Sequence, residues 1–297
     1  MEPSKIYDHV REHYSAAASQ DTSTSKYGEA VAKSFGYTED ELSTIPQDAN
    51  LGLSCGNPTA IASLRPGETV IDLGSGAGFD AFLASSKVGP DGRMIGVDMN
   101  DDMLARANKI KASKGREADN VTFVKAAITS ITPLESGIAD CIISNCVINL
   151  VPEPEKQLVF NEMYRLLKPR GRVALSDILA KKPLPKKLRE DVAMYVGCIA
   201  GASQVQDYEQ YLKNAGFDEA VIADTHADLN VYLDTNTDGT RKTSSCCGPP
   251  APEGQPAESQ SAGCCRPSSG NTTAQASSDV TDLNEWVGSY KVYALKM

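Results

Sequence analysis

The sequence predicts a doubly wound α/β fold, in which helices cover both faces of a mostly parallel β-sheet. Short apolar segments alternate with helical segments from Pro58 to Ala223, and this alternation is typical of parallel sheets. A glycine-rich turn links the first apolar segment to the helix after it. The chain has 297 residues, 41% of them hydrophobic, so it can bury a core of the required size.

The N-terminal segment, residues 1–50, is predicted to be mostly helical and polar. Side chains from Ile6 to Tyr14 recur at helical spacing, and a second helix is predicted from Gly28 to Phe35. A third helix begins after Thr38, which is its expected N-cap, and Glu41 completes a capping box. We therefore expect several short helices in front of the sheet.

The sheet itself is predicted from five apolar segments. They span Thr69–Leu73, Arg93–Asp98, Val121–Ala126, Ala139–Ser144 and Gly171–Ser176. The main helices between them are predicted at Phe79–Lys87, Asp101–Lys114 and Pro154–Leu167, and a short one at Thr59–Leu64. Because each strand is followed by a helix, consecutive strands are expected to be parallel.

The sequence pattern changes twice in the C-terminal part of the chain. Residues 183–215 are predicted to be helical, and a sixth strand follows at Ala220–Ala223. Residues 235–279 are rich in Ser, Thr, Gly, Pro and Gln, a composition typical of disorder. The alternating run Ser289–Lys296 predicts a last strand. The expected units are 1–50 (helical), 51–180 (cofactor core), 181–234 (helices and strand six), 235–279 (Cys-rich insertion) and 280–297 (last strand).

The composition limits the classes of partner. The net charge is −10 and only 6% of residues are aromatic, which argues against nucleic-acid binding because phosphates attract basic surfaces and bases stack on aromatic rings. The sequence shows neither a signal peptide nor an apolar stretch of transmembrane length. We expect a cytoplasmic monomer that acts on a small molecule. In that compartment the eight cysteines are expected to be free thiols, metal ligands or redox groups rather than structural disulfides.

The glycine-rich turn predicts the cofactor. It reads Asp72-Leu73-Gly74-Ser75-Gly76-Ala77-Gly78, and glycines in such a turn let the backbone approach a ligand closely. Asp98 ends the next strand, where an acidic residue binds ribose hydroxyls. This geometry suits two cofactors, NAD and S-adenosylmethionine, and Asp72 distinguishes between them. A carboxylate there repels the pyrophosphate of NAD but suits the ammonium group of the methionine portion. The motif resembles the first motif of class I methyltransferases, which implies S-adenosylmethionine as cofactor.

Further cofactor contacts are expected where the other strands end, because sheets of this class bind ligands at that edge. Met99 is expected to pack on the adenine, and Ala127 and Ile128 to lie along its edge. Asn145 and Val147 are expected beneath the methionine portion. Packing in the core is the alternative role for these apolar side chains.

Five stretches together resemble the arsenite S-adenosylmethionine methyltransferases. They are Tyr27-Gly28, the run 49–58 around Ser54-Cys55-Gly56-Asn57-Pro58, the glycine-rich turn, Ser144-Asn145-Cys146-Val147-Ile148-Asn149-Leu150, and the run 194–202 around Cys198. The resemblance covers about residues 25–225. It implies a Rossmann-like class I methyltransferase fold with a seven-stranded, mostly parallel sheet whose last strand is antiparallel. It also implies that Tyr27 and Gly28 help to bind the cofactor.

The same resemblance implies an arsenic site. Cys55 and Cys198 match cysteines that bind trivalent arsenic, a soft centre suited to thiolate ligands. Cys246 or Cys247 is a candidate for a third ligand. Cys146 is expected to pack beside the cofactor rather than bind arsenic. No cysteine precedes Cys55 in this chain, so a redox partner for it is expected only in the Cys-rich insertion.

The resemblance implies methyl transfer from S-adenosylmethionine to arsenite and methylarsenite, a detoxifying reaction, with glutathione or thioredoxin as the thiol reductant. Two alternatives remain open. One keeps the fold but uses a small carbon or oxygen acceptor, which has no need of paired Cys55 and Cys198. The other is a thiol-rich scavenger of metalloids, against which the cofactor motif argues.

Overall fold

A computed structural model of the chain describes residues 2–20, 26–234 and 282–297. Its sheet has seven strands in the order β3-β2-β1-β4-β5-β7-β6. The strands are β1 (Thr69–Leu73), β2 (Arg93–Asp98), β3 (Val121–Lys125), β4 (Ala139–Asn145), β5 (Leu167–Ala180), β6 (Glu219–Asp224) and β7 (Val287–Leu295). The first five strands pair in parallel, and β7 runs antiparallel between β5 and β6. The predicted fold class is confirmed.

The helices lie in front of the sheet and between its strands. They are α1 (Pro3–Ala18), α2 (Lys26–Ser34), α3 (Glu39–Thr44), α4 (Thr59–Ala62), α5 (Phe79–Val88), α6 (Asp101–Lys114), α7 (Lys156–Leu166), α8 (Lys186–Arg189), α9 (Val192–Val196), α10 (Val205–Ala215) and α11 (Val231–Asp234). Short 3-10 turns occur at Gln47–Ala49, Gly115–Ala118, Ile148–Leu150, Glu153–Glu155 and Leu283–Glu285. The expected capping box is present at α3, where the Thr38 and Glu41 side chains each accept the other's backbone N–H.

Two elements differ from the prediction. β5 continues past Ser176 to Ala180, because β7 pairs with it along that whole length. The region 183–215 is divided into α8, α9 and α10 rather than forming a continuous helical segment. Cys198 therefore lies in the turn after α9, with φ at +64°, and not on a helix.

Three apolar clusters stabilise the fold. Successive side chains of a strand face opposite sides of the sheet, so Ile71 joins the cluster under α7 and α10 while Val70 joins the cluster under α5 and α6. A third cluster lies beyond the carboxyl ends of the strands. It combines Ile6 and Val10 of α1 with three cysteines, Cys55, Cys146 and Cys198.

No helix in the described ranges is long and apolar enough to cross a membrane. The predicted insertion at 235–279, with Cys246 and Cys247, lies outside the described residues.

Candidate active site

A pocket opens at the carboxyl ends of β1, β2 and β4, the edge at which open α/β sheets bind ligands. Its empty space, open mouth included, is about 1090 Å³. The floor is the turn after β1, one side is formed by the loops after β2 and β4, and α1 contributes Tyr7, Val10, Arg11 and Tyr14. The predicted cofactor edge of the sheet therefore carries a cavity large enough for a nucleoside-sized ligand.

The glycines of the turn are required by its backbone and by its neighbours. Gly74, Gly76 and Gly78 have φ values of +70°, +52° and +93°, a region that L side chains rarely adopt. A Cβ at Gly74 would lie 2.3 Å from Cγ2 of Val147, whereas a Cβ at Gly76 would meet only Met103 Sδ, at 3.9 Å. Gly74 thus lets β1 and the loop after β4 approach each other at the base of the pocket.

Two polar groups at the turn suit a ligand that carries hydroxyl and ammonium groups. Asp98 accepts the backbone N–H groups of Gly76 and Asn100, each at 2.8 Å, which points its carboxylate along the pocket edge. The Ser75 hydroxyl is buried and has no hydrogen-bond partner among the described residues. These groups fit S-adenosylmethionine, whose ribose and methionine portions offer both donors and acceptors.

Three carboxyl groups line this part of the pocket, those of Asp72, Asp80 and Asp98. Burial raises the pKa of Asp72 well above its usual range, and the neighbouring Asp80 and Asp98 raise it further. Burial also raises the pKa of Asp98, against the effect of the backbone N–H groups that it accepts. We call Asp72, Gly74, Ser75, Gly76 and Asp98 the cofactor side.

Asp80 is the third of these carboxyl groups, and sequence reasoning missed it. Tyr37 donates to its Oδ1 at 2.6 Å and Asn145 to its Oδ2 at 2.9 Å. Burial raises the pKa of Asp80 to about 6 despite these two hydrogen bonds. Three buried acids in one cavity are best stabilised by a cation, and the sulfonium and ammonium groups of S-adenosylmethionine supply two.

The other predicted contact residues divide into two groups. Met99, Ala127, Ile128, Asn145 and Val147 line the pocket. Tyr27 and Gly28 lie behind it, where the Tyr27 ring packs on Gly52 and Gly28 packs on Asn50. Asn50 itself lines the pocket. The structure therefore assigns Tyr27 and Gly28 a place under the pocket wall, and their contact with a cofactor stays a prediction.

Cys55 and Cys146 are joined by a disulfide, with their Cα atoms 5.8 Å apart. The prediction gave Cys146 a packing role only; it does line the pocket, but it also bonds Cys55. The expectation that Cys55 lacks a redox partner outside the insertion was therefore wrong. The two residues are adjacent because Asn145, at the end of β4, accepts the backbone N–H of Cys55, and Cys146 donates its own N–H to Ser176 of β5.

Cys198 lies beside this pair. Its thiol donates to the carbonyl oxygen of Cys146 at 2.6 Å, and the Tyr14 hydroxyl lies 4.0 Å from its Sγ. Burial and the nearby Asp177 raise the pKa of the Cys198 thiol above its ordinary value. Cys146 and Cys198 both have positive φ, at +59° and +64°, a strained conformation that clusters at functional sites. We call Cys55, Cys146 and Cys198 the cysteine site.

Two polar side chains, Asp177 and Ser289, contact the cysteine site within its otherwise apolar cluster. An oxygen of Asp177 and the sulfurs of Cys55 and Cys146 all lie within 4.8 Å of one another. Burial raises the pKa of Asp177 to about 6, although the hydrogen bond from Tyr208 acts in the opposite direction. Ser289 of β7 donates to the Cys55 carbonyl at 2.7 Å. Strands β5 and β7 and the loops that carry Cys55 and Cys146 therefore meet at this point.

Helix α1 is the main part of the site that sequence reasoning missed. Tyr14 lines the pocket and donates to the carbonyl of Val196, two residues before Cys198. Its helical spacing with Ile6 and Val10 indicated a buried face, but no local pattern indicated what that face would cover. The remaining predicted ligands, Cys246 and Cys247, lie outside the described residues.

Comparisons with known proteins agree with this geometry. The chain matches a family model described as a methyltransferase domain over residues 64–216. The arsenite methyltransferase of Halobacterium salinarum is 44% identical over 220 residues, covering 70% of this chain and 55% of that protein. The arsenite methyltransferase of Aquipseudomonas alcaligenes is 40% identical over 162 residues, covering 52% of this chain and 45% of that protein. The chain thus spans about half the length of the curated relatives it matches.

A solved structure also resembles the chain. It is an arsenic (III) S-adenosylmethionine methyltransferase from Chlamydomonas reinhardtii, with a TM-score of 0.55 and 23% sequence identity, covering 90% of this chain and 73% of that one. A likeness at this level of identity shows the shared fold.

Proposed function

This chain belongs to the methyltransferase domain family, which takes its methyl groups from S-adenosylmethionine, and we propose that the acceptor here is trivalent arsenic held by cysteine thiolates. One observation carries the proposal: Cys55, Cys146 and Cys198 come from distant parts of the chain and lie in one buried cluster, and Cys146 lines the cofactor pocket. An acceptor of carbon or oxygen has no use for three cysteines in one buried cluster. The relatives named arsenite methyltransferases support the same acceptor.

The cofactor side holds the donor. Asp98 binds the ribose hydroxyls, the turn from Gly74 to Gly76 supports the methionine portion, and Asp72 attracts the ammonium group. When bound, S-adenosylmethionine supplies a methyl group on a sulfonium ion. A nucleophile attacks this methyl group in line, and the thioether is the leaving group. The three buried carboxyl groups favour binding of the cationic donor. Its product lacks the sulfonium charge and is therefore bound less tightly.

The cysteine site holds the acceptor. Arsenite has three hydroxyl groups, and each thiol that binds arsenic releases one of them as water. Thiolates suit this soft centre and leave its lone pair free. The chain then has to hold arsenic and the methyl group in near-attack geometry, and the transfer itself requires no general base. Because the arsenic lone pair becomes the new As–CH3 bond, the methylated arsenic is pentavalent, and the thiol reductant must supply two electrons to give trivalent methylarsenite. Cys146 lines the cofactor pocket and also contacts the other cysteines, so we propose that it lies between the arsenic and the cofactor.

The disulfide is the oxidised form of this site. Cys55 and Cys146 each need a free sulfur to bind arsenic, so two electrons from a thiol reductant must first convert the disulfide to two thiols. Glutathione or thioredoxin suits this step. We also assign the protein to the cytoplasm, because that compartment keeps thiols reduced. Methylarsenite is a second substrate under this proposal, bound through its two remaining exchangeable positions, and the working unit is a monomer.

The test is a turnover assay with arsenite, S-adenosylmethionine and glutathione, in which arsenic species are separated and quantified. Methylated arsenicals that accumulate with the enzyme, and are absent without the donor, support the proposal. Arsenite that binds stoichiometrically without any methylated product would identify a metalloid scavenger instead. If arsenite does not bind at all, another acceptor of the same methyl donor must be sought.

A further inference from the structure

The turn that carries Cys198 has little regular structure to hold it. It spans residues 197–203 between α9 and α10, and Cys198 itself is in the left-handed region. Backbone bonds reach back from it to Met194 and Tyr195 of α9, and at its far end the Ser203 carbonyl accepts the N–H of Ala180 in β5. None of these backbone bonds joins the segment around Cys198 to the loop that carries Cys146.

The side chain of Asn149 makes that connection. Its Nδ2 donates to Asp177 Oδ1 at 2.9 Å, to the Ile178 carbonyl at 2.6 Å and to the Cys198 carbonyl at 3.1 Å. Asn149 is fully buried. Three acceptor oxygens around one amide nitrogen also fix the orientation of the amide, since its oxygen would repel all three.

Asn149 lies in the 3-10 turn Ile148–Leu150, shortly after Cys146, so one loop carries both the Cys146 sulfur and the Asn149 amide. The backbone of the Cys198 turn also lies close to the backbone of this loop. A Cβ at Gly201 would lie 2.1 Å from the Asn149 carbonyl oxygen, which means that only glycine lets the turn approach this loop. The Asn149 amide thereby contacts both β5 and the turn, in addition to the bond from the Cys198 thiol to the Cys146 carbonyl.

We propose that Asn149 is a positioning residue that holds the Cys198 turn against the Cys146 loop, so that the three sulfurs can face one arsenic atom. The assignment of arsenic rests on the proposed function, whereas the holding of the turn does not. Removing the amide leaves the Cys198 carbonyl without this donor, while Lys156 still holds the far end of the turn at Gly201 and Ser203.

The first test measures the exposure of Cys198 without arsenic. The folded protein, with its disulfide intact, is treated with iodoacetamide, and alkylation is followed peptide by peptide by mass spectrometry. Asn149→Ala should raise the alkylation rate of Cys198 about tenfold, the opening expected when a buried hydrogen-bond anchor is removed. Asn149→Leu, which keeps the volume but not the donor, should do the same; wild-type protection in Asn149→Leu would overturn the proposal.

The chain offers a matched control and an internal one. Asn120 also donates from Nδ2 to two backbone carbonyls, those of Ser85 and Gly89, at the opposite end of the sheet. Asn120→Ala should leave Cys198 as protected as in the wild type. Cys141 is buried in β4 and reports general loosening. If Cys141 becomes reactive in parallel with Cys198, the effect of Asn149 is a loss of overall stability and the positioning role is wrong.

The second test uses a double-mutant cycle on arsenite binding by the reduced protein. Asn149→Ala should weaken arsenite affinity about tenfold and leave the Kd for S-adenosylmethionine unchanged. In a Cys198→Ser background the same substitution should add almost nothing, because Asn149 acts through that sulfur. Additive effects would overturn the proposal. A wild-type protein that binds no arsenite would instead refute the proposed function, and the alkylation result would still stand.

Discussion

The cofactor side and the cysteine site share one pocket but are built in opposite ways. Asp72, the glycine turn and Asp98 come from one strand–turn–helix–strand unit, and backbone pairing fixes each of them. Cys55, Cys146 and Cys198 come from three loops far apart in sequence, and side-chain hydrogen bonds and a disulfide hold them together.

This difference separates two kinds of specificity. Donor binding depends on a rigid backbone that any member of a large fold class can share. Under the proposed function, acceptor binding depends on strained loops, two of which hold cysteine at positive φ. Substitutions in the two regions should therefore affect different binding steps, and the predictions below test that separation.

The largest effect is expected from the sulfurs. Cys55→Ser, Cys146→Ser and Cys198→Ser should each lower the rate of arsenic methylation by roughly 100-fold or more, because a serine oxygen is a poor ligand for a soft centre. The Kd for S-adenosylmethionine should stay within about twofold of the wild type, since these side chains act on the acceptor. Turnover is measured by arsenic speciation and cofactor affinity by calorimetry.

Cys141→Ser is the control for these variants, because Cys141 lies within β4 and burial raises its pKa to about 12. It should methylate arsenite at close to the wild-type rate. A Cys146→Ser enzyme that is equally active would remove Cys146 from the cysteine site and return it to a packing role.

A smaller effect is expected from the glycine turn. Gly74→Ala should weaken S-adenosylmethionine binding about tenfold or more, because the new Cβ would collide with Val147 and distort the pocket floor. Arsenite binding by the reduced protein should be unchanged. Gly67→Ala is matched for backbone strain, with φ at +85°, but has no atom within 4 Å of the added Cβ. If both variants lose cofactor affinity equally, backbone strain and not the pocket floor is responsible.

The pH dependence should belong to donor binding, through Asp80 in the pocket wall. A cationic donor favours ionised Asp80, whose pKa is raised to about 6 in the free protein. Affinity should therefore level off above about pH 7 and fall about fourfold between pH 7.5 and 5.5, as protonation removes the charge. Asp80→Asn should bind the donor more weakly at neutral pH and show a flat profile. A steep profile in Asp80→Asn would assign the titration to another group.

The smallest effect is expected from the Cys-rich insertion. The cysteine site already supplies three sulfurs, so replacing Cys246 and Cys247 by serine together should change the methylation rate by less than about threefold with glutathione present. The measurement is the same speciation assay, run at several glutathione concentrations. A tenfold loss that excess glutathione restores would show that these cysteines pass electrons to the cysteine site.

The two regions also differ in how far the sequence predicts them. The motif from Asp72 to Gly78 and the strand ends were predicted because turn chemistry and strand period are local properties. Cys55 and Cys198 were identified through family resemblance. The disulfide partner of Cys55 was missed because adjacency of loops depends on how β4, β5 and β7 pair.

Two further misses have the same origin. The region around Cys198 was predicted to be helical because its apolar residues have helical spacing, whereas the left-handed turn is imposed by contacts with Asn149 and Tyr14. Asp80 carried no signal because an acidic residue in the first turn of a helix is common. Long-range contacts therefore override local propensity at the cysteine site.

The position of β7 has a consequence for how the molecule assembles. β5 and β6 do not pair with each other, and β7 joins them although it follows both in the chain. Ser289 of β7 also supports the Cys55 carbonyl. Pairings so distant in sequence form slowly, and during synthesis on the ribosome the parallel strands can associate before β7 emerges. The methyl-donor pocket would then mature first, and the thiols would remain exposed to oxidants until the late strand arrives.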